Sequence, residues 1–261
     1  MKYRLRLLGL WRNNISRAYI EELKDEHRDT EIIWTGKEYP AGSVQNFKGL
    51  NDLDAAFRTI ILDKCSNVIR KRAPQTPLLF CRTEHELFWS IGLSTICPNP
   101  VVVGDCDLPL AERLGLSYVH DDLLSLSFGD EAFDLVAIPH YLYYAGVSFI
   151  PQSRFDPNGD ERLLNEINRV LKPGGALVGM IFVKKGGTVL PIGFQRARDI
   201  SQFHDIVRRS GFNIVEESYF HRSSMKPICA SDVSSAPPRY TRPSAGFADR
   251  LLFVCEKAHA R

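Results

Sequence analysis

Three short acidic or aromatic stretches sit where a folded chain could use them for chemistry. Asp105 follows Val101-Val102-Val103-Gly104, a β-branched run that reads as a strand. A carboxylate at a strand end offers two acceptor oxygens and can engage a diol through both. Asp107 takes that place if the register slips by two, and turn residues capping a helix over 108–114 are the plainer alternative for both. Asp121-Asp122 follow a second strand, Ser117–His120, where a solvated turn competes with a binding role. His140 follows a third strand, Phe133–Ile138, within Pro139-His140-Tyr141-Leu142-Tyr143-Tyr144. Strand carboxyl ends are where open α/β sheets place their sites. A neutral imidazole there could take a proton from an attacking hydroxyl or amine. The tyrosines, Tyr144 among them, could wall in a substrate or a cation. A satisfied histidine above tyrosines packed under a loop is the structural alternative.

Other chemistries lack their signatures. No Gly-x-Ser-x-Gly elbow or phosphate-binding Gly-x4-Gly-Lys-Ser/Thr loop is present. His85, His120, His140, Asp121, Asp122 and Glu84 could be assembled into a metal site, but no i,i+3 or i,i+4 pair among them supports one, so none is expected. Lys184-Lys185-Gly186-Gly187 could hold an anion but reads more simply as a basic surface turn. The six cysteines include no CxxC pair, which points to reduced, mostly buried thiols. Lys and Arg total 33 against 31 Asp and Glu, a net charge of +2 that creates no field for nucleic acid. Hydrophobic residues at 44% and charged residues at 25% of 261 exclude disorder and fibre. Every apolar run is interrupted well short of the roughly 18 residues a membrane helix needs.

The elements that must position these residues alternate from Leu78 onward, the mark of a parallel sheet covered by helices. Strands are expected at Leu78–Cys81, Pro100–Gly104, Ser117–His120, Phe133–Ile138, Ala176–Val183, Phe212–Val215 and Leu251–Cys255. Helices are expected over 85–93, at Asp160–Leu171 with Asp160 as N-cap, and at Asp199–Ser210 with Gly211 as the stop. The stretch from Arg222 to Ala248 reads as a long surface connection. Pro74 and Pro77 mark a boundary, dividing an N-terminal extension (1–77) from a core domain (78–261).

In the extension, Tyr3–Leu8 reads as a strand, Ser16–Arg28 as an amphipathic helix and Ile32–Trp34 as a short strand. A second helix begins near Asn51 or Asp52 and runs to Arg72. Residues 1–20 carry Lys2, Arg4, Arg6, Arg12 and Arg17 and no acid. That pattern leaves organelle targeting or contact with a membrane surface as alternatives to a cytoplasmic, fully folded segment.

Two longer stretches carry a resemblance. "LSYVHDDLLSLSFGDEAFDLV" (116–136) and "LLNEINRVLKPGGALV" (163–178) resemble the class I S-adenosylmethionine-dependent methyltransferases. So do "RRSGFNIVEE" (208–217) and "RLLFVCEK" (250–257). The similarity covers about residues 78–257. It implies an α/β fold, a Rossmann-like sheet of about seven strands, mostly parallel with an antiparallel last strand and helices on both faces. Asp156-Pro157-Asn158-Gly159-Asp160 also resembles a "DPxGD" turn in a narrower methyltransferase-like family, first described from nematode sequences, that lacks the glycine-rich first loop.

The resemblance implies S-adenosylmethionine as cofactor. Asp105 would hold the ribose hydroxyls and Asp122 the adenine amino group, with Asp121 as its competitor. Leu123 would flank the ring and lend its backbone N–H. The first loop departs from the family, since Cys81-Arg82-Thr83-Glu84-His85-Glu86-Leu87-Phe88 contains no glycine. Either Cys81, Thr83 and Glu84 serve a rerouted loop, or bulk closes the pocket. Three functions follow as expectations. The first is methyl transfer to a small molecule or glycan, with His140 and Tyr144 beside the substrate. The second is a catalytically inactive scaffold or binding protein, and the third a Rossmann protein for another nucleotide.

Overall fold

The computed structural model describes residues 3–8, 30–35, 63–81, 97, 100–105, 111, 116–139, 142, 144–145, 156–186, 190–192, 195–221, 226–233 and 249–258. Strand β1 (Tyr3–Leu8) pairs in parallel with β2 (Thr30–Thr35), in register from Tyr3 against Thr30 to Leu8 against Thr35. The two form a sheet of their own. The expected helix at Ser16–Arg28 lies outside the described residues. Residues 63–72 are helical (α1) and bury Cys65, Val68 and Ile69. Ala73 ends this helix with φ +45°, and its N–H returns to the Ile69 carbonyl at 2.7 Å.

The main sheet contains β3 (Pro77–Phe80), β4 (Val101–Gly104), β5 (Ser117–His120), β6 (Phe133–Ile138) and β7 (Leu171–Lys184). It continues with the short β8 (Leu190–Ile192) and β9 (Gln195–Asp199), β10 (Phe212–Phe220), the two-residue β11 (Pro227–Ile228) and β12 (Asp249–Lys257). Its spatial order β10-β12-β7-β6-β3-β4-β5 contains all seven expected strands. The run from β7 to β5 is parallel, and β12 is antiparallel to both β7 and β10. Strand β3 lies between β6 and β4, so the chain order reverses there. Such a reversal leaves a crevice at the carboxyl ends of the strands.

Helices α2 (Gly159–Val170) and α3 (Ile200–Arg209) pack on one face of this sheet. The α2 stripe Leu163, Leu164, Ile167 and Val170 and the α3 stripe Phe203, Ile206 and Val207 share a core with Leu177, Ile181, Val183 and Phe253. Each such side chain, fully buried, contributes about 1.5–3 kcal/mol. Gly211 stops α3 with φ +79°, a conformation that a Cβ disfavours.

Two local expectations need correction. Asp160 is not the N-cap, because α2 begins one residue earlier with Asn158 at the cap position and no side-chain cap bond. The turn is closed instead by Asp156, which accepts from the N–H of Asn158 at 2.8 Å and of Gly159 at 3.2 Å. Asp160 is thereby turned inward, fully buried, onto Arg198 of β9. Strand β7 also starts before the expected Ala176. Leu171 already pairs with Phe133, and the next pair is Leu135 with Ala176, so Lys172–Gly175 bulge out of the ladder. Pro173 has no N–H to give that ladder.

β8 and β9 carried no sequence expectation. β9 pairs in parallel with β7 at Phe182–Lys184, on the side that β6 leaves at Ile138–Gly179. Arg198 anchors it, donating from Nε and Nη2 to Asp160 at 2.5 and 2.6 Å and from Nη2 to the Pro157 carbonyl at 2.6 Å. Breaking a buried ion pair from one side leaves an unpaired charge and costs about 3–5 kcal/mol. Arg198→Met or Asp160→Leu alone should therefore lower the unfolding free energy from urea titration by that amount, and the double substitution should recover most of it.

Asp199 caps α3, accepting from Ser201 N–H at 2.9 Å, and also accepts from Gly186 N–H at 2.6 Å. Burial pushes its carboxyl up, but the bonds from Ser201, Gly186 and Gln202 outweigh it and hold the carboxyl below its ordinary 3.8. A carboxylate depressed on folding stabilises above its unfolded value and loses that contribution as pH falls through the folded one. Asp199→Ala should cost about 1 kcal/mol at neutral pH, and the difference in chemical-denaturation stability should vanish in strong acid.

Candidate functional site

Cys81, Asp105 and the Asp121-Asp122 pair leave the carboxyl ends of three adjacent strands. Phe80 stands beside Val103, and Gly104 beside His120, so the groups that follow lie about one strand spacing, ~4.8 Å, apart. Cys81 is buried, and its N–H donates to the Val103 carbonyl at 2.8 Å. Asp105 is half-buried just beyond β4. Thr83, Glu84, Asp107 and His140 lie outside the described residues, as does the expected helix 85–93. Tyr144 is half-buried, between buried Leu142 and Ala145.

The loop after β5 separates its two acids. Asp121 turns inward, where Oδ2 accepts from the N–H and hydroxyl of Ser127 at 2.7 and 2.8 Å and Oδ1 accepts from Asp122 N–H at 2.9 Å. Asp122 is exposed, and its Oδ1 accepts from Leu124 N–H at 2.9 Å. Its Oδ2 meets no donor among the described residues, which leaves a carboxylate oxygen facing outward. Leu123, expected beside an adenine ring, is 1% exposed and belongs to the main core, so its side chain packs inward.

That loop is held by α2. Arg169 donates to the carbonyls of Leu126 and Phe128, each at 2.8 Å, to Asp130 at 2.7 Å, and to both oxygens of Glu166. Glu166 in turn accepts from Leu126 N–H at 2.7 Å. The hydrogen-bonded carboxylates of Glu166 and Asp130 raise the Arg169 pKa, so the cation is permanent. Sequence reasoning passed over this cluster. Its signal was a Glu-x-x-Arg pair at i,i+3 in α2, which on a helix usually means only a surface pair.

The floor of the site depends on a glycine. A Cβ on Gly104 would meet the Cys81 carbonyl oxygen and lie 2.6 Å from the Tyr118 hydroxyl. The end of β4 is thus a cradle that only glycine permits, with Tyr118 of β5 reaching across it. Tyr118 had no place among the expected site residues. Among the described residues, no group of three His, Cys, Asp or Glu side chains is placed to hold a metal ion. No helix among them is long and apolar enough to cross a membrane. Gly104→Ala should overpack this junction by about 1–3 kcal/mol, read as a fall in melting temperature, and Tyr118→Ala in the same chain should recover part of the loss.

Comparisons with known proteins fit this geometry. Residues 96–179 match the profile of the family described as "Methyltransferase domain". No curated protein matches the chain in sequence. Among solved structures, 1,6-didemethyltoxoflavin-N1-methyltransferase of Burkholderia thailandensis, with bound S-adenosylhomocysteine, superposes with a TM-score of 0.53 at 15% identity, over 82% of this chain and 92% of that one. The [4+2]-cyclase SpnF superposes with a TM-score of 0.53 at 18% identity, over 83% and 86%. The N-methyltransferase NodS of Bradyrhizobium japonicum does so with a TM-score of 0.50 at 17% identity, over 80% and 98%. At these identities the likeness is one of fold, and the cyclase shows that the fold also hosts other reactions. The chain has the fold of the class I S-adenosylmethionine-dependent methyltransferases.

Proposed function

We propose that this protein is an S-adenosylmethionine-dependent methyltransferase acting on a small molecule or glycan. The observation that carries the reading is the placement of Asp105 and Asp122 at the ends of adjacent strands, beside the chain reversal at Cys81. The outward Oδ2 of Asp122 fits the amino group of a nucleoside. In this reading Asp105 takes the ribose diol, Asp122 accepts from the adenine amino group, and the Leu123 backbone N–H faces the ring. Cys81, Thr83 and Glu84 line the first loop in place of glycines. When bound, the cofactor supplies a methyl group on a sulfonium, an electrophile that calls mainly for in-line approach and a dry site. A neutral ring nitrogen of His140 takes the proton from the acceptor hydroxyl or amine, and Tyr144 walls the acceptor in.

A second reading is favoured by one observation. The Cys81 carbonyl and the Tyr118 hydroxyl crowd the space above Gly104, as a scaffold without cofactor would allow. Titration with S-adenosylmethionine and S-adenosylhomocysteine, followed by calorimetry and thermal shift, separates the two. A ligand at about 100 times its dissociation constant adds about 2.7 kcal/mol, a rise of about 5–10 °C for a domain of this size. Asp105→Ala and Asp122→Ala should each abolish the rise. No shift with either ligand at millimolar concentration would overturn the methyltransferase reading.

A further inference from the structure

Arg198 is a buried cation on the same side of β7 as β6. It stands opposite Val183, four residues along β7 from Gly179, where the pairing of β6 ends. At about 3.3 Å per residue that places it about 13 Å beyond the carboxyl end of β6. Between them, on that side of β7, Met180 and Ile181 have no ladder partner among the described residues.

Its side chain is 6% exposed, and three of its five N–H groups are used. Nε and Nη2 grip Asp160, and the second Nη2 hydrogen reaches the Pro157 carbonyl. A guanidinium is planar and rigid, so a carboxylate held on the Nε–Nη2 edge leaves Nη1 on the opposite side of the group. Nη1 meets no acceptor among the described residues, and it is not sealed from solvent. Nη1 is thus the one edge of a fixed guanidinium that stays open to solvent, where a ligand oxygen can replace water.

We propose that Arg198 is a substrate-binding residue, donating from Nη1 to a carbonyl or amide oxygen of a neutral small molecule held beyond the end of β6. The identification of that molecule as the methyl acceptor rests on the methyltransferase reading. Two features select a neutral oxygen over a phosphate. Asp160 already cancels the charge of Arg198, so the pair offers no net positive field to a dianion. The two free hydrogens also share one nitrogen, which cannot form the two-nitrogen fork that grips phosphate or carboxylate. Asp160 and Pro157 act as positioning groups, fixing the guanidinium before the ligand arrives.

The test uses the full chain with isotope-labelled arginine, following guanidinium N–H resonances by NMR. Arg198→Lys identifies the Arg198 signals by their loss. N-methylacetamide and inorganic phosphate are titrated separately. The amide should displace the Nη1 resonances and leave Nε nearly still, while phosphate moves neither. In Asp160→Asn the anchor is weakened, and affinity for the amide should fall about tenfold, the scale of one hydrogen bond to a charged group. Should that variant fail to fold, the wild-type titration alone decides. Displacement of Nη1 by phosphate rather than amide, or by neither, would overturn the proposal and leave Arg198 as a structural latch. Cofactor titration is read independently, so S-adenosylhomocysteine binding without an amide effect sinks only this inference. The converse result sinks only the methyltransferase reading.

Discussion

Helix α2 is held at both ends by a guanidinium, and the site region is built around that constraint. At its start Asp160 lies fully buried against Arg198, which joins the turn at 156–160 to β9 and through β9 to the end of β7. At its far end Arg169 reaches back to the loop after β5. Two charges buried together stabilise little against an apolar pair of the same shape, but they tolerate only one geometry. The pair at Asp160 therefore reads as a device for register. It sets where β9 lies above the end of β6.

The second guanidinium holds the loop after β5 as the first holds β9. Loops that present a carboxylate to a ligand must hold it still without neutralising it. Here Asp121 and Arg169 close the loop internally, and Asp122 keeps an outward oxygen. One acid of an adjacent pair closes the loop and the other keeps an oxygen facing outward. The division follows from the hydrogen-bond supply within the loop, where Ser127 donates twice to Asp121.

Much of the architecture was legible along the chain. Strands such as Val101–Gly104 and Phe133–Ile138 are short β-branched or apolar runs bounded by turn residues, and buried parallel strands have few other ways to look. The stripes of α2 and α3 follow the 3.6 period, with Gly211 as a chemical stop. The short β8, β9 and β11 were not legible. Arg196 and Arg198 in β9 do not advertise a strand, and that segment pairs only because β6 ends early and leaves the edge of β7 open.

Residue types and their order determined the sheet, its antiparallel last strand and the placing of Asp105 and Asp122 at strand ends, because period, turn chemistry and strand length are local properties. The roles of Asp160, Arg198, Arg169 and Tyr118 were decided only by tertiary structure. A carboxylate before a helix looks the same as a cap or as half of a buried pair until the partner, 38 residues away, is in place. The need for glycine at position 104 likewise comes from a carbonyl on the neighbouring strand. Long-range pairing, which no window of sequence contains, is the physical reason.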